Sequence, residues 1–136
     1  MNFSKYIGLK YKHLGKDFSG VDCFGIIWLI FKEERGIILP DFTTLNYSPG
    51  LLKQNEDKNL IKNIIDGDKS FKKVDPPYKI FDCPIFLDSC TKTFANHIGI
   101  FITDDSFIHI RGNTTSMVSK LDNYYKSKLY TVIRID

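Results

Sequence analysis

The chain holds one cysteine at the head of its most apolar run, and two histidines spaced twelve residues apart further on. Cys23 stands in "SGVDCFGIIWLIF", residues 19–31, directly after Asp22. A cysteine thiol is mostly protonated at neutral pH, and its reactive form is the thiolate. A helix N-terminus and a neighbouring imidazole both favour that form. Asp22 reads as the N-cap of a helix that Cys23 begins, so the first condition is met. For the second, the chain offers His13, His97 and His109.

His97 opens "HIGIFIT" (97–103) and His109 lies in "SFIHIR" (106–111). Both stretches are short, β-branched and aromatic, which predicts strands. "DDS" between them predicts a tight turn and a hairpin over 97–111. Side chains alternate along a strand, so 97, 99 and 101 share one face, as do 107, 109 and 111. The two imidazoles can then stand side by side on one face of the sheet. A base beside an orienting group, facing a helix-borne thiol, is the logic of a nucleophilic triad.

Each of these residues also has an ordinary reading. A cysteine beside an apolar run is commonly a small core residue, and that reading is kept for Cys83 and Cys90. His13 reads as a loop surface residue. Tyr11 reads as a partly buried aromatic with a wet hydroxyl.

The elements that must position these groups are legible in outline. Residues 1–7 predict a short helix or arm, and 11–21 a loop. Asp22 to Arg35 predicts a helix apolar almost all round in its first half, hence buried, with Trp28 among its buried residues. Gly36 is its stop, with Lys32 and Arg35 in the last turn. Leu51 to Ile65 predicts a second, imperfect helix ended by Asp66-Gly67. "PIFLD" (84–88) and "YTVIRI" (130–135) predict strands, and "LDNYYKSK" a short helix or loop. Helices come first and strands last, which indicates an α+β fold with N-terminal helices packed on an antiparallel sheet.

Composition narrows the function. A length of 136 residues suits one domain, 1–136, able to fold without disulfide or metal. The formal charge is +3, and the lysines are scattered, which gives no support to nucleic-acid binding. The three cysteines lack CxxC spacing, so no metal site is expected. The N-terminus has neither a long apolar segment nor a small-residue cleavage site, and the run 23–31 is too short to span a membrane. The expectation is a protein made in the cytoplasm, carried elsewhere only by something else.

In "YKHLGKDFSGVDCFG", Tyr11 precedes Cys23 by twelve residues. With "HIGIF" from His97 and "FIH" ending at His109, the chain resembles the NlpC/P60 family of papain-like cysteine peptidases. "FKEERGIILPDF" and the closing "YTVIRI" are similar to the forms carried in phage tail modules. Asp82, in "VDPPYKIFDCPIFL", matches the aspartate that opens that family's first strand. The resemblance implies that Cys23 is the nucleophile, His97 the base and His109 the residue orienting it. It implies that Tyr11 and the Cys23 amide lie near the oxyanion or substrate backbone, and that no cofactor is needed. The implied substrate is a peptidoglycan stem peptide, cut beside D-γ-glutamyl, and the implied partners are phage tail-tip proteins. An amidase or transacylase using the same site is an alternative, as is a silent structural tail component. Phe24 after the cysteine and Lys16 after "LG" depart from the cell-wall members of the family.

Overall fold

The computed structural model describes residues 2–39, 71–87 and 95–135. The helix expected over 51–65, most of the segment 41–80 and Cys90 lie outside the described residues.

Helix α1 spans Cys23–Ile30 and continues as a π-helical turn over Phe31–Arg35. Asp22 caps it, its side chain accepting the Gly25 amide N–H at 2.7 Å. Gly36 ends it at φ 64°, a left-handed conformation that costs glycine little. The Gly36 amide donates to the Lys32 carbonyl at 3.1 Å and the Ile37 amide to the Phe31 carbonyl at 3.2 Å. Two carbonyls that the helix end would orphan are thereby satisfied. The helix is buried as expected, with one correction. Trp28 is only half-buried. Its indole N–H donates to the Leu39 carbonyl at 3.2 Å, and the ammonium groups of Lys16 and Lys32 lie 4.5 and 5.4 Å from its ring centroid. The polar indole edge and the face attractive to cations keep this residue at the water boundary.

Before the helix, a 3₁₀ turn covers Ser4–Tyr6, and the expected loop 11–21 contains a two-stranded ribbon, β1 (Lys16–Asp17) with β2 (Gly20–Val21). His13 is half-buried rather than a surface residue. After the helix come β3 (Phe71–Lys73), β4 (Cys83–Leu87), β5 (Ala95–Ile98), β6 (Ile100–Phe101), β7 (Ser106–His109), β8 (Met117–Lys120), a short α2 (Asn123–Lys126) and β9 (Leu129–Ile135). Two antiparallel sheets form, in the orders β3-β9-β4-β5 and β6-β7-β8.

The expected strand 97–103 is broken at Gly99, and there the two sheets join. Gly99 donates its amide to the Pro84 carbonyl at 3.0 Å, and Phe101 donates to the Asp82 carbonyl at 2.8 Å. A Cβ at 99 would meet the Phe107 ring at 2.8 Å and the Ile108 carbonyl oxygen at 3.1 Å. Glycine lets the hairpin close over that ring.

One face of the joined sheets packs on α1. Ile26, Ile30 and Phe31 of the helical segment lie in one core with Ile85, Ile98, Ile100, Ile108 and Ile133. The opposite face gathers Phe86, Phe101, Phe107, Leu121 and Val132 under Tyr78 and Tyr125. The result is the expected α+β arrangement. Across the sheet, Arg134 on β9 grips the buried carboxylate of Asp82 with two parallel bonds, Nε to Oδ1 and Nη2 to Oδ2, both 2.8 Å.

Candidate active site

Cys23 is the first residue of α1, so its own amide and that of Phe24 point from an unsatisfied helix start. Both lower the thiol's pKa slightly, as does the Ile98 amide from β5. The thiol is therefore the point where the helix start meets the strand that carries His97. It is 8% exposed, as is His97.

Asp22 fixes this meeting from below. One carboxylate oxygen caps the helix at Gly25, and the other accepts the Leu14 amide N–H at 3.0 Å. Leu14 sits at φ 62°, so the segment carrying Tyr11 turns back sharply onto the helix start. Tyr11 runs beside Val21 in a parallel bridge, and the flanking bonds are Lys12 N–H to Val21 O and Val21 N–H to Lys10 O, both 2.9 Å. This places the half-buried Tyr11 beside β2, which leads into Asp22 and Cys23.

The two histidines are in contact. His97 Nε2 lies 2.7 Å from His109 Nδ1. In the register of β6 on β7, Ile100 faces Ile108 and Phe101 faces Phe107, so the frame puts Gly99 opposite His109. His97 thus reaches His109 diagonally, past a residue with no side chain. His97 itself pairs with Phe86 on β4, because the strand changes partner at Gly99. The structure joins His97 and His109 directly, and Cys23 stands at the start of α1 in the same core as Ile98, the residue after His97. The hydrogen bond from His97 occupies Nε2 and leaves Nδ1 as its second functional atom.

One group was not visible in the sequence. Ser119 Oγ lies 2.8 Å from His109 Nε2. It stands on β8, a strand that the alternation in "SMVSK" hints at but does not declare.

The electrostatics of the site correct one expectation. Burial pushes the Cys23 thiol well up from its ordinary value, and the adjacent Asp22 charge adds to this, outweighing the amide hydrogen bonds that favour the thiolate. Burial also pushes His97 well down, with smaller contributions from His109 and Arg111. His109 falls to about 4, through burial first and Arg111 second. The burial is aromatic: Phe86 lies against His97, while Phe107 and Tyr125 enclose His109, with ring centroids 4.8 to 6.0 Å apart. A helix start does favour a thiolate, but its dipole is opposed here by desolvation and by the capping carboxylate. These directions all favour a thiol and neutral imidazoles over an ion pair.

Residues 8–134 match the sequence profile of the NlpC/P60 family. The chain belongs to that family. Its similarity to curated members is modest but spans nearly all of it. The γ-DL-glutamyl hydrolase of Bacillus subtilis is 28% identical over 134 residues, covering 97% of this chain and 27% of the relative. The murein DD-endopeptidase MepS/murein LD-carboxypeptidase of Escherichia coli is 24% identical over 132 residues, covering 97% of this chain and 58% of the relative. The chain thus spans between about a quarter and three fifths of the length of these two relatives. Among solved structures, the NlpC/p60 domain of the peptidoglycan hydrolase SagA superposes with a TM-score of 0.62 at 19% identity, covering 97% of this chain and 92% of that one. An NlpC/P60 protein of Bacillus cereus superposes with a TM-score of 0.65 at 20% identity, covering 96% and 36%. The NlpC/P60 fold expected from the sequence is therefore the fold found.

Proposed function

We propose that this NlpC/P60 domain is a cysteine peptidase that cuts an amide bond in peptidoglycan stem peptides, beside a D-γ-glutamyl residue. The observation that carries the reading is the 2.7 Å bond between His97 Nε2 and His109 Nδ1, on a strand whose Ile98 shares a core with Cys23. It leaves His97 Nδ1 to serve the thiol. The substrate class is supported by the relatives, one named for γ-DL-glutamyl hydrolysis and one for murein endopeptidase activity.

The chemistry follows from the neutral pair. Substrate enters between the helix start and β5. The Cys23 sulfur attacks the scissile carbonyl carbon while its proton passes to His97 Nδ1, so charge separates only as the new C–S bond forms. The oxyanion is met by the helix-start amide of Cys23, and Tyr11 lines the substrate backbone. The imidazolium then gives its proton to the leaving amine, and a thioester remains. Water, deprotonated by His97, releases the acid and restores the thiol.

The phage-tail resemblance of "FKEERGIILPDF" and "YTVIRI" supports a further part of the proposal. The domain acts as a tail-tip component, delivered to the wall by the particle. Mass spectrometry of purified particles tests that part.

The catalytic part is tested by digesting defined muropeptides and weighing the products. The parent protein yields two fragments that together gain one water, and Cys23→Ala yields none. Fragments produced equally by both proteins would overturn the reading, and products joined to an amine instead of water would assign an acyl transferase.

A further inference from the structure

The line of hydrogen bonds does not stop at the second histidine. It runs from His97 Nε2 to His109 Nδ1 at 2.7 Å, and from His109 Nε2 to Ser119 Oγ at 2.8 Å. We propose that Ser119 is a positioning residue whose hydroxyl oxygen accepts the His109 Nε2–H and thereby holds both imidazoles in the one tautomer pair that leaves His97 able to take a proton. The inference rests on the reading of Cys23 and His97 as the reacting pair.

A neutral imidazole carries one donor and one acceptor, so the line points wholly outward or wholly inward. His97 Nδ1 accepts the thiol proton only when it carries no hydrogen. Its hydrogen is then on Nε2 and is donated to His109 Nδ1. That atom must also be bare, which puts the His109 hydrogen on Nε2, aimed at Ser119. The inward line reverses every bond and places a hydrogen on His97 Nδ1, where it blocks the base.

Ser119 is where the direction is chosen. His109 is fully buried, so its Nε2 meets the serine oxygen rather than water. Ser119 is half-exposed, which lets its own hydrogen go to solvent and leaves its lone pairs for His109. The register supports the contact. His109 faces Met117 and Phe107 faces Ser119 on β8, so Ser119 shares the Met117 face and reaches His109 diagonally. Removing the hydroxyl turns an Nε2–H on His109 into a buried donor with no acceptor, a costly state that drives the hydrogen to Nδ1.

Thr and Val have nearly the same shape and differ in the hydroxyl, so Ser119→Thr and Ser119→Val separate hydrogen bonding from packing. The readout is the ¹⁵N shifts of the imidazole nitrogens in the full chain, which report tautomers whether or not any substrate is cut. The parent and Ser119→Thr should hold both His97 and His109 as Nε2–H. Ser119→Val should move both toward Nδ1–H and lower kcat on muropeptides about tenfold with KM within about twofold. Ser119→Ala gives the same readout in a smaller side chain if valine does not fit. Unchanged tautomers in the variants that lack the hydroxyl overturn the proposal. Hydrolysis that persists in Cys23→Ala would instead overturn the peptidase reading and leave the tautomer result standing.

Discussion

Gly25 on helix α1 faces Gly15 so closely that a Cβ on Gly25 would lie 1.7 Å from the Gly15 carbonyl oxygen. The same oxygen accepts the Asp22 amide N–H at 3.2 Å, and the Gly25 amide is the one capped by Asp22. The two glycines let the turn after Tyr11 lie directly on the helix start that presents Cys23. Backbone meets backbone there, and no flexible side chain can yield.

Gly25→Ala is therefore expected to destabilise the domain, even though alanine is the better helix former. Overpacking of this kind costs about 1–3 kcal/mol, more than the roughly 1 kcal/mol that propensity returns. Thermal melting checks the sign, and an unchanged or raised Tm would show that the contact can relax.

The thiol of Cys23 should titrate above an ordinary cysteine, because burial and Asp22 both oppose the thiolate. The rate of iodoacetamide labelling against pH, resolved by peptide, should give a midpoint above about 8.5. His97→Ala should leave that midpoint nearly in place, since a neutral imidazole adds no charge. A midpoint near or below neutrality that rises on removing His97 would show a preformed ion pair.

Stability should fall with acid through the histidine pair. His109 has a folded value of about 4, below the unfolded value near 6.5, so the unfolded chain binds more protons in between. Its contribution is fully present above about pH 6.5 and is lost as pH drops towards 4. The loss is on the order of 3 kcal/mol over that window. Denaturant melts of the parent and His109→Asn across it should diverge by a comparable amount. Parallel curves would mean that His109 is not held neutral by its burial.

Asp82→Ala removes the carboxylate that Arg134 grips and that also accepts the Lys79 amide at 2.8 Å. Breaking a buried pair costs about 3–5 kcal/mol, and the low end applies because the Arg134 side chain is 31% exposed and can reach water. Asp82 joins β9 to the start of β4, away from the thiol. Urea unfolding should show the loss, while the labelling of Cys23 in the folded protein stays as in the parent. A changed Cys23 labelling rate would mean that the pair shapes the site.

The helix start at Cys23 was legible because capping chemistry and an apolar run act within a few residues. The contact of His97 with His109 was legible for a similar reason. Alternation and a tight turn determine which side chains share a face once a hairpin forms. Strands β3 and β8 were not legible. "FKK" and "MVSK" are too short and polar to declare themselves, and they become strands only because β9 and β7 offer edges. The break at Gly99 depends on where the Phe107 ring lands, and the half-exposure of Trp28 on Lys16, Lys32 and the Leu39 carbonyl.

Local spacing and residue types were thus enough for the α+β order, for the family and for naming Cys23, His97 and His109 as candidates. The enclosure that pushes the thiol up and the imidazoles down, and the contact of Ser119 with His109, come from the tertiary fold. Desolvation is a property of the whole enclosure, here Phe86, Phe107 and Tyr125 around two imidazoles and Asp22 under the thiol. A sequence names these groups, but only the fold brings them close enough to oppose the thiolate and to put the Ser119 oxygen 2.8 Å from His109.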